Sequence, residues 1–305
     1  MATNLSLKFG YYPESLDLSS GSISIATLLD LPQTVANING SDGVYKGWIY
    51  APPQQVRDLS GSVSQRPYPC RIFGLPKTHV IEHASPDSND HLLFHLWTLS
   101  FFTGIRLTSD DAGMLDATTI KPGTFVDFVL LGRGLPDAIT LAENFWKVHQ
   151  SKPERARLFA AAVHALFLGQ NPQLLQFERF LMYYTAFDTC FALTKQLQNP
   201  NDNIPHAKRV AWMCSLFNMP IPAWADPAQP TESEVPSIRN ATIHEALFMD
   251  APLGFAIHGA GTGQNITLEM HSLICRLLVA ILGGDQTSYV VSPVTTRQRS
   301  GLTLC

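Results

Sequence analysis

The chain has 305 residues, of which 45% are hydrophobic and 15% charged. That balance excludes a disordered polymer and leaves room for two domains with their own cores. A formal net charge of −4 excludes a uniformly basic surface, so any RNA site has to be a local patch or groove.

Residues 1 to about 83 read as β structure. Leu5-Ser-Leu-Lys-Phe-Gly-Tyr11, Ser22-Ile-Ser-Ile25, Val44-Tyr-Lys-Gly-Trp-Ile-Tyr50, Arg71-Ile-Phe73 and His79-Val-Ile-Glu82 are short, β-branched or aromatic, and separated by Gly, Pro, Ser and Asn. Asp87-Ser-Asn-Asp90 then supplies capping groups for a helix over His91–Phe102, which Gly104 closes. A buried strand is predicted at Thr124–Leu131, and a domain boundary near Gly132–Pro136. From there the periodicity is helical: Asp137–His149, then a helix to Leu168 opened by the capping-box pattern Ser151-Lys-Pro-Glu154. A long aromatic-rich helix follows from Pro172 to Leu197, and another over His206–Phe217. Pro220–Pro230 reads as a loop, Pro236–Met249 as a helix, Gly254–Asn265 as a glycine-rich excursion, and Thr267–Leu282 as the last helix before a polar tail. The resulting class is α+β: a β-rich accessory domain over 1–135 with one helix near 90–104, then a helical bundle over 136–305.

Five cysteines, Cys70, Cys190, Cys214, Cys275 and Cys305, form no Cys-x-x-Cys pair, so neither a zinc knuckle nor a disulfide framework is indicated. Three of them sit in apolar stretches and read as small buried hydrophobes in a reducing cytoplasm. The N-terminus lacks the basic start and apolar run of a secretory signal. The apolar runs at Leu92–Phe102 and Leu273–Leu282 are too short or too interrupted to span a bilayer. A cytoplasmic protein with no membrane partner is expected.

The stretch richest in chemistry is Arg239-Asn240-Ala-Thr-Ile-His244. Arginine is a permanent forked cation that matches phosphate geometry, and histidine exchanges a proton near neutral pH. Pro236 suits a first helical turn, which places Asn240 and His244 four apart on one face. With 13 Arg and 10 His, an arginine followed by a histidine after four to six residues is expected about once by chance. A second pair, Arg157 and His164, does occur, inside an alanine-rich packing helix. Requiring a polar residue straight after the arginine leaves only Arg239.

The 137–305 region resembles the HEPN superfamily of small helical bundles, many of them ribonucleases. Arg239-Asn240-x-x-x-His244 carries the resemblance, together with the earlier helix Gln176–Leu193, which holds Asp188, since family members often carry an acidic residue on such a helix. The resemblance implies a metal-independent endoribonuclease without cofactor. His244 would handle a proton at the ribose 2′-hydroxyl or the leaving oxygen, and Arg239 would stabilise the phosphorane. Asn240 and Asp188 would support them. It also implies an RNA substrate, a homodimer whose two motifs share a cleft, and a toxin–antitoxin or antiviral defence setting with an antitoxin or regulatory partner. The rival is a non-catalytic HEPN-like module for dimerisation or for binding a nucleotide or partner. For Asp188, flanked by Phe187, Cys190 and Phe191, an ordinary ion pair between helices is an equal reading.

Two His-x-x-x-His spacings bear on metal. His79 and His83 fall on a predicted strand, where residues four apart are too distant for one ion. His91 and His95 fall on a helix and could chelate from one face, but spacing supplies no third ligand, and core-edge histidines are the plainer reading. Gly259-Ala-Gly-Thr-Gly-Gln-Asn265 lacks the Lys-Ser/Thr of a phosphate loop and any preceding strand.

Overall fold

A computed structural model describes residues 5–69, 72–198, 203–226, 266–295 and 298–304. The chain divides into two compact units, 1–125 with 138–140, and 126–137 with 141–305. Strands concentrate in the first and helices in the second, so the fold is α+β with a β-rich N-terminal part.

In the first unit, β1 (Leu5–Phe9), β2 (Leu18–Ser20), β3 (Ile23–Thr27) and β9 (His79–His83) form an antiparallel sheet in the order β1-β9-β3-β2. Its register follows the period-2 pattern: Leu7 pairs with Ile81, which pairs with Ile25 on the other side. On β9, His79, Ile81 and His83 are buried while Val80 and Glu82 are half-buried. The predicted strand Val44–Tyr50 is in fact a hairpin of β4 (Val44–Tyr45) and β5 (Trp48–Tyr50). Lys46 and Gly47 between them both take positive φ, 50° and 82°, the two-residue turn whose twist matches a hairpin. β5 also pairs with β11 (Ala117–Thr119). Two further pairs are β6 (Pro53–Arg57) with β7 (Val63–Pro69), and β8 (Ile72–Phe73) with β10 (Met114–Leu115).

The first unit is less purely β than its sequence suggested. Leu31–Asn39 is a helix, α1, with Pro32 in its first turn and Leu31, Thr34 and Ile38 as its buried stripe. The second helix, α2 (Asn89–Thr103), is apolar on nearly every side and correspondingly buried. Gly104 closes it as expected, in the left-handed region at φ 60°. Its N–H reaches the Phe101 carbonyl, and Ile105 N–H reaches that of Ser100, so two end carbonyls are satisfied. Ser88 stands at the N-terminal cap without a side-chain cap hydrogen bond.

The second unit contains β12 (Phe128–Leu130), α3 (Leu135–His149) apart from residues 138–140, α4 (Pro153–Leu168), α5 (Gln176–Gln198), α6 (Arg209–Leu216) and α7 (Ile266–Val279), then β13 (Ser300–Leu302). The capping box expected at Ser151–Glu154 does not form: Lys152 is the cap residue, with no side-chain hydrogen bond, and Pro153 begins the helix. Nor does Pro172 start the long helix. Asn171 organises a turn there, accepting Gln173 N–H on its side chain and Leu174 N–H on its carbonyl. α5 packs against both α4 and α7, and these helices bury Phe159, Val163 and Leu166, Phe187 and Leu193, and Ile274, Leu277 and Leu278, all at most 1% exposed. Ile266–Gly284 is long and apolar enough to cross a membrane, yet 78% of that window is buried within the fold, as in a core helix.

The polar tail contains a strand. β13 pairs in parallel with β12, Val129 opposite Gly301. Close by lies Arg276 of α7, 0% exposed. Its Nε and two Nη atoms donate to the Ser292 carbonyl and hydroxyl, the Pro293 and Ser272 carbonyls, and Asp127 Oδ2 at 2.9 Å. The guanidinium lies over the Tyr289 ring at 4.4 Å, and the Tyr289 hydroxyl donates to the other oxygen of Asp127. A charge that no water reaches is held by matching each of its donors to an acceptor.

Candidate functional site

Of the residues singled out by the resemblance, Arg239, Asn240 and His244 lie outside the described residues, between the short 3-10 turn Ala223–Ala225 and α7 in sequence. Asp188 is described. It sits midway along α5 with its side chain 33% exposed, and its Oδ1 accepts Arg209 Nη1 at 2.7 Å. Arg209 also lies 4.3 Å above the Phe191 ring, which meets Trp212 edge-on. One turn back on α5, the Tyr184 hydroxyl contacts His206 Nδ1 at 3.0 Å.

Tyr184, Asp188 and Phe191 are spaced four and three apart, so they share a face of α5. That face holds the His206–Arg209 segment at the start of α6 by a hydroxyl–imidazole contact, a charged hydrogen bond and a cation–π contact. Asp188 is therefore engaged as an ion pair between helices, one of its two readings from sequence. Arg209 and His206, its companions here, were not picked out from sequence; their signal was a cluster of basic residues, His206-Ala-Lys-Arg209, following the helix that carries the acid.

The buried thiols offer no alternative nucleophile. Cys190, Cys214 and Cys275 are free and buried, and burial pushes each thiol well up from its ordinary value.

A second constellation lies in the first unit. β9 presents alternate residues to its buried side, which places His83 there. The next residues, Ala84–Ser88, turn the chain back into α2, whose His91 and His95 are four apart on one face. The result is three histidines packed ring to ring: His83 to His91 at 4.5 Å between centroids, His91 to His95 at 5.1 Å, and His83 to His95 at 6.3 Å. Each is 2% exposed. His83 Nδ1 accepts Ser85 N–H at 3.0 Å, and its Nε2 lies 3.1 Å from Ser22 Oγ on β3's leading edge.

Spacing alone supplied His91 and His95 with no third partner; the strand-to-helix reversal supplies His83. The signal was the third histidine eight residues upstream, obscured because His83 reads first as a partner for His79. On one strand those two point the same way but are too far apart, and His79 goes elsewhere, stacking on Phe9 at 5.5 Å.

Compared with family models, curated proteins and solved structures, the chain matches none of them. Its function is therefore read from its own residues.

Proposed function

We propose that the chain is a cytoplasmic, metal-independent endoribonuclease of the HEPN kind, acting as a homodimer. What carries this reading is Arg239-Asn240-x-x-x-His244, an arginine followed at once by a polar residue and, four residues beyond that, by a histidine. Supporting it is the long α5 packed between α4 and α7, with Asp188 on its surface tied to Arg209. In the reaction, the ribose 2′-oxygen loses its proton and bonds to phosphorus while the bond to the 5′-oxygen breaks and that oxygen gains a proton. His244 handles one of these protons. Arg239 stabilises the charge on the phosphorane oxygens. Asn240 positions the substrate, and Asp188 acts through Arg209 by fixing α6 to α5. The products are a 2′,3′-cyclic phosphate and a 5′-hydroxyl, and DNA is spared for want of a 2′-hydroxyl. An antitoxin or regulatory partner would restrain such an activity in a defence setting.

The test is incubation of wild-type, His244→Ala and Arg239→Ala protein with structured and unstructured RNA, and with matching DNA, in EDTA, followed by analysis of 3′ ends. Cleavage by wild type alone, leaving cyclic phosphates on RNA only, is the expected result. Equal cleavage by His244→Ala would refute the assignment. No cleavage by wild type would favour a non-catalytic module for dimerisation or partner binding.

A further inference from the structure

We propose that His83, His91 and His95 form a binding site for a divalent first-row metal ion, zinc foremost, inside the N-terminal unit. This site is independent of the RNA-cleaving reading, whose residues lie in the other half of the chain.

Three features point to it. One ligand nitrogen from each histidine lies within 4.8 Å of the others. A tetrahedral zinc with bonds near 2.1 Å needs nitrogens about 3.4 Å apart, so closure asks for side-chain adjustment rather than a new backbone. His91 and His95 on α2 form the i, i+4 pair that chelates from one helix face, and β9 adds the third ligand from a separate element. The composition is also costly without a use. A core that needed only bulk at three adjoining positions would take leucine or phenylalanine, which bring no polar nitrogens to satisfy.

The hydrogen bonds of His83 are compatible with metal capture. In a neutral imidazole, the nitrogen that takes the ion gives up its proton and the other must keep one. His83 has a place for that retained proton, because Ser22 Oγ lies 3.1 Å from Nε2. With Nε2–H donated to Ser22, Nδ1 keeps the lone pair that now accepts Ser85 N–H at 3.0 Å. Binding through Nδ1 exchanges that backbone contact for the ion and preserves the Ser22 contact, which orients the ring as outer-shell partners of metal histidines do. All-nitrogen ligation by imidazole suits zinc, copper or nickel and disfavours magnesium and calcium, which prefer oxygen. The fourth position of a tetrahedral ion goes to an oxygen donor such as water.

The experiment uses the full chain without a histidine tag, stripped with EDTA and then titrated with Zn2+ by calorimetry, with metal content read by mass spectrometry. One zinc per chain is expected. His83→Asn and His95→Asn should each weaken binding by more than about 100-fold, and Ser22→Ala, which removes a positioning contact only, by about 10- to 100-fold. X-ray absorption of the zinc-loaded wild type counts its imidazoles directly, so the result stands even where a histidine variant fails to fold. Absence of stoichiometric zinc, wild-type affinity in His83→Asn, or fewer than three imidazoles on the ion would each overturn the assignment.

Discussion

Asp127→Ala should be among the most damaging single changes in the C-terminal unit. Asp127 is the only carboxylate hydrogen-bonded to Arg276 among the described residues, at 2.9 Å, and Arg276 is fully inaccessible to solvent. Removing the acid leaves the guanidinium its carbonyl and hydroxyl acceptors but no countercharge, and it strands the Tyr289 hydroxyl as well. Breaking one side of a buried pair costs about 3–5 kcal/mol. For a unit of this size that corresponds to a melting shift of roughly 10 °C. The assay is calorimetry of the C-terminal transition, with hydrogen exchange along α7 read by mass spectrometry to show that the loss is local to that helix and its neighbours. Replacing both partners, as Asp127→Leu with Arg276→Met, should cost less than the sum of the single changes, because no unpaired charge is then buried. A shift under about 2 °C in Asp127→Ala with unchanged α7 protection would refute this account of the pair.

Two further changes probe the N-terminal unit. A Cβ on Gly74 would stand 1.7 Å from the Asp111 carbonyl oxygen, a backbone atom that cannot rotate away, so Gly74→Ala should destabilise by about 2–3 kcal/mol; a melting temperature equal to wild type would contradict that clash. His79 is fully buried, and burial lowers its pKa from 6.5. The unfolded chain therefore binds the proton more readily than the native one, so stability is undiminished above about pH 6.5 and falls as the pH drops toward the folded value. In His79→Phe the loss of melting temperature between about pH 7 and pH 5 should shrink, and an unchanged slope would count against this residue as a source of it.

The elements legible in the sequence are those whose signal is local. α2 could be read from its apolar run and its terminal Gly104, and β1, β3 and β9 from alternation and flanking turn residues. Where the outcome depended on distant residues, the sequence was silent. The short pair β12 and β13 exists because each supplies the other's hydrogen bonds, and Ser300-Gly301-Leu302 alone carries no strand signal. Val44–Tyr50 reads as one strand until Lys46-Gly47 is recognised as a two-residue turn. α1 is short and proline-bearing, and its buried stripe of three residues is too sparse to stand out. The triple-histidine cluster was half visible, since helical spacing gives two members and only the reversal after β9 gives the third. Arg276 and Asp127 lie far apart in sequence, and nothing local announces that they are partners.

The parallel pairing of β12 with β13 bears on how the protein is made. β13 emerges from the ribosome about 170 residues after β12, and at 5–20 residues per second that is a delay of roughly 10–30 s. Throughout it, Phe128 and Leu130 have no strand partner, and Asp127 waits nearly as long for Tyr289 and for Arg276. An unpaired edge beside apolar side chains invites pairing with other nascent chains. α4 and α5 can meet early, being adjacent in sequence, but β12 gains its partner only once β13 has emerged. The interval before β13 emerges is therefore when β12 is open to the wrong partner, and closely spaced nascent chains would supply one.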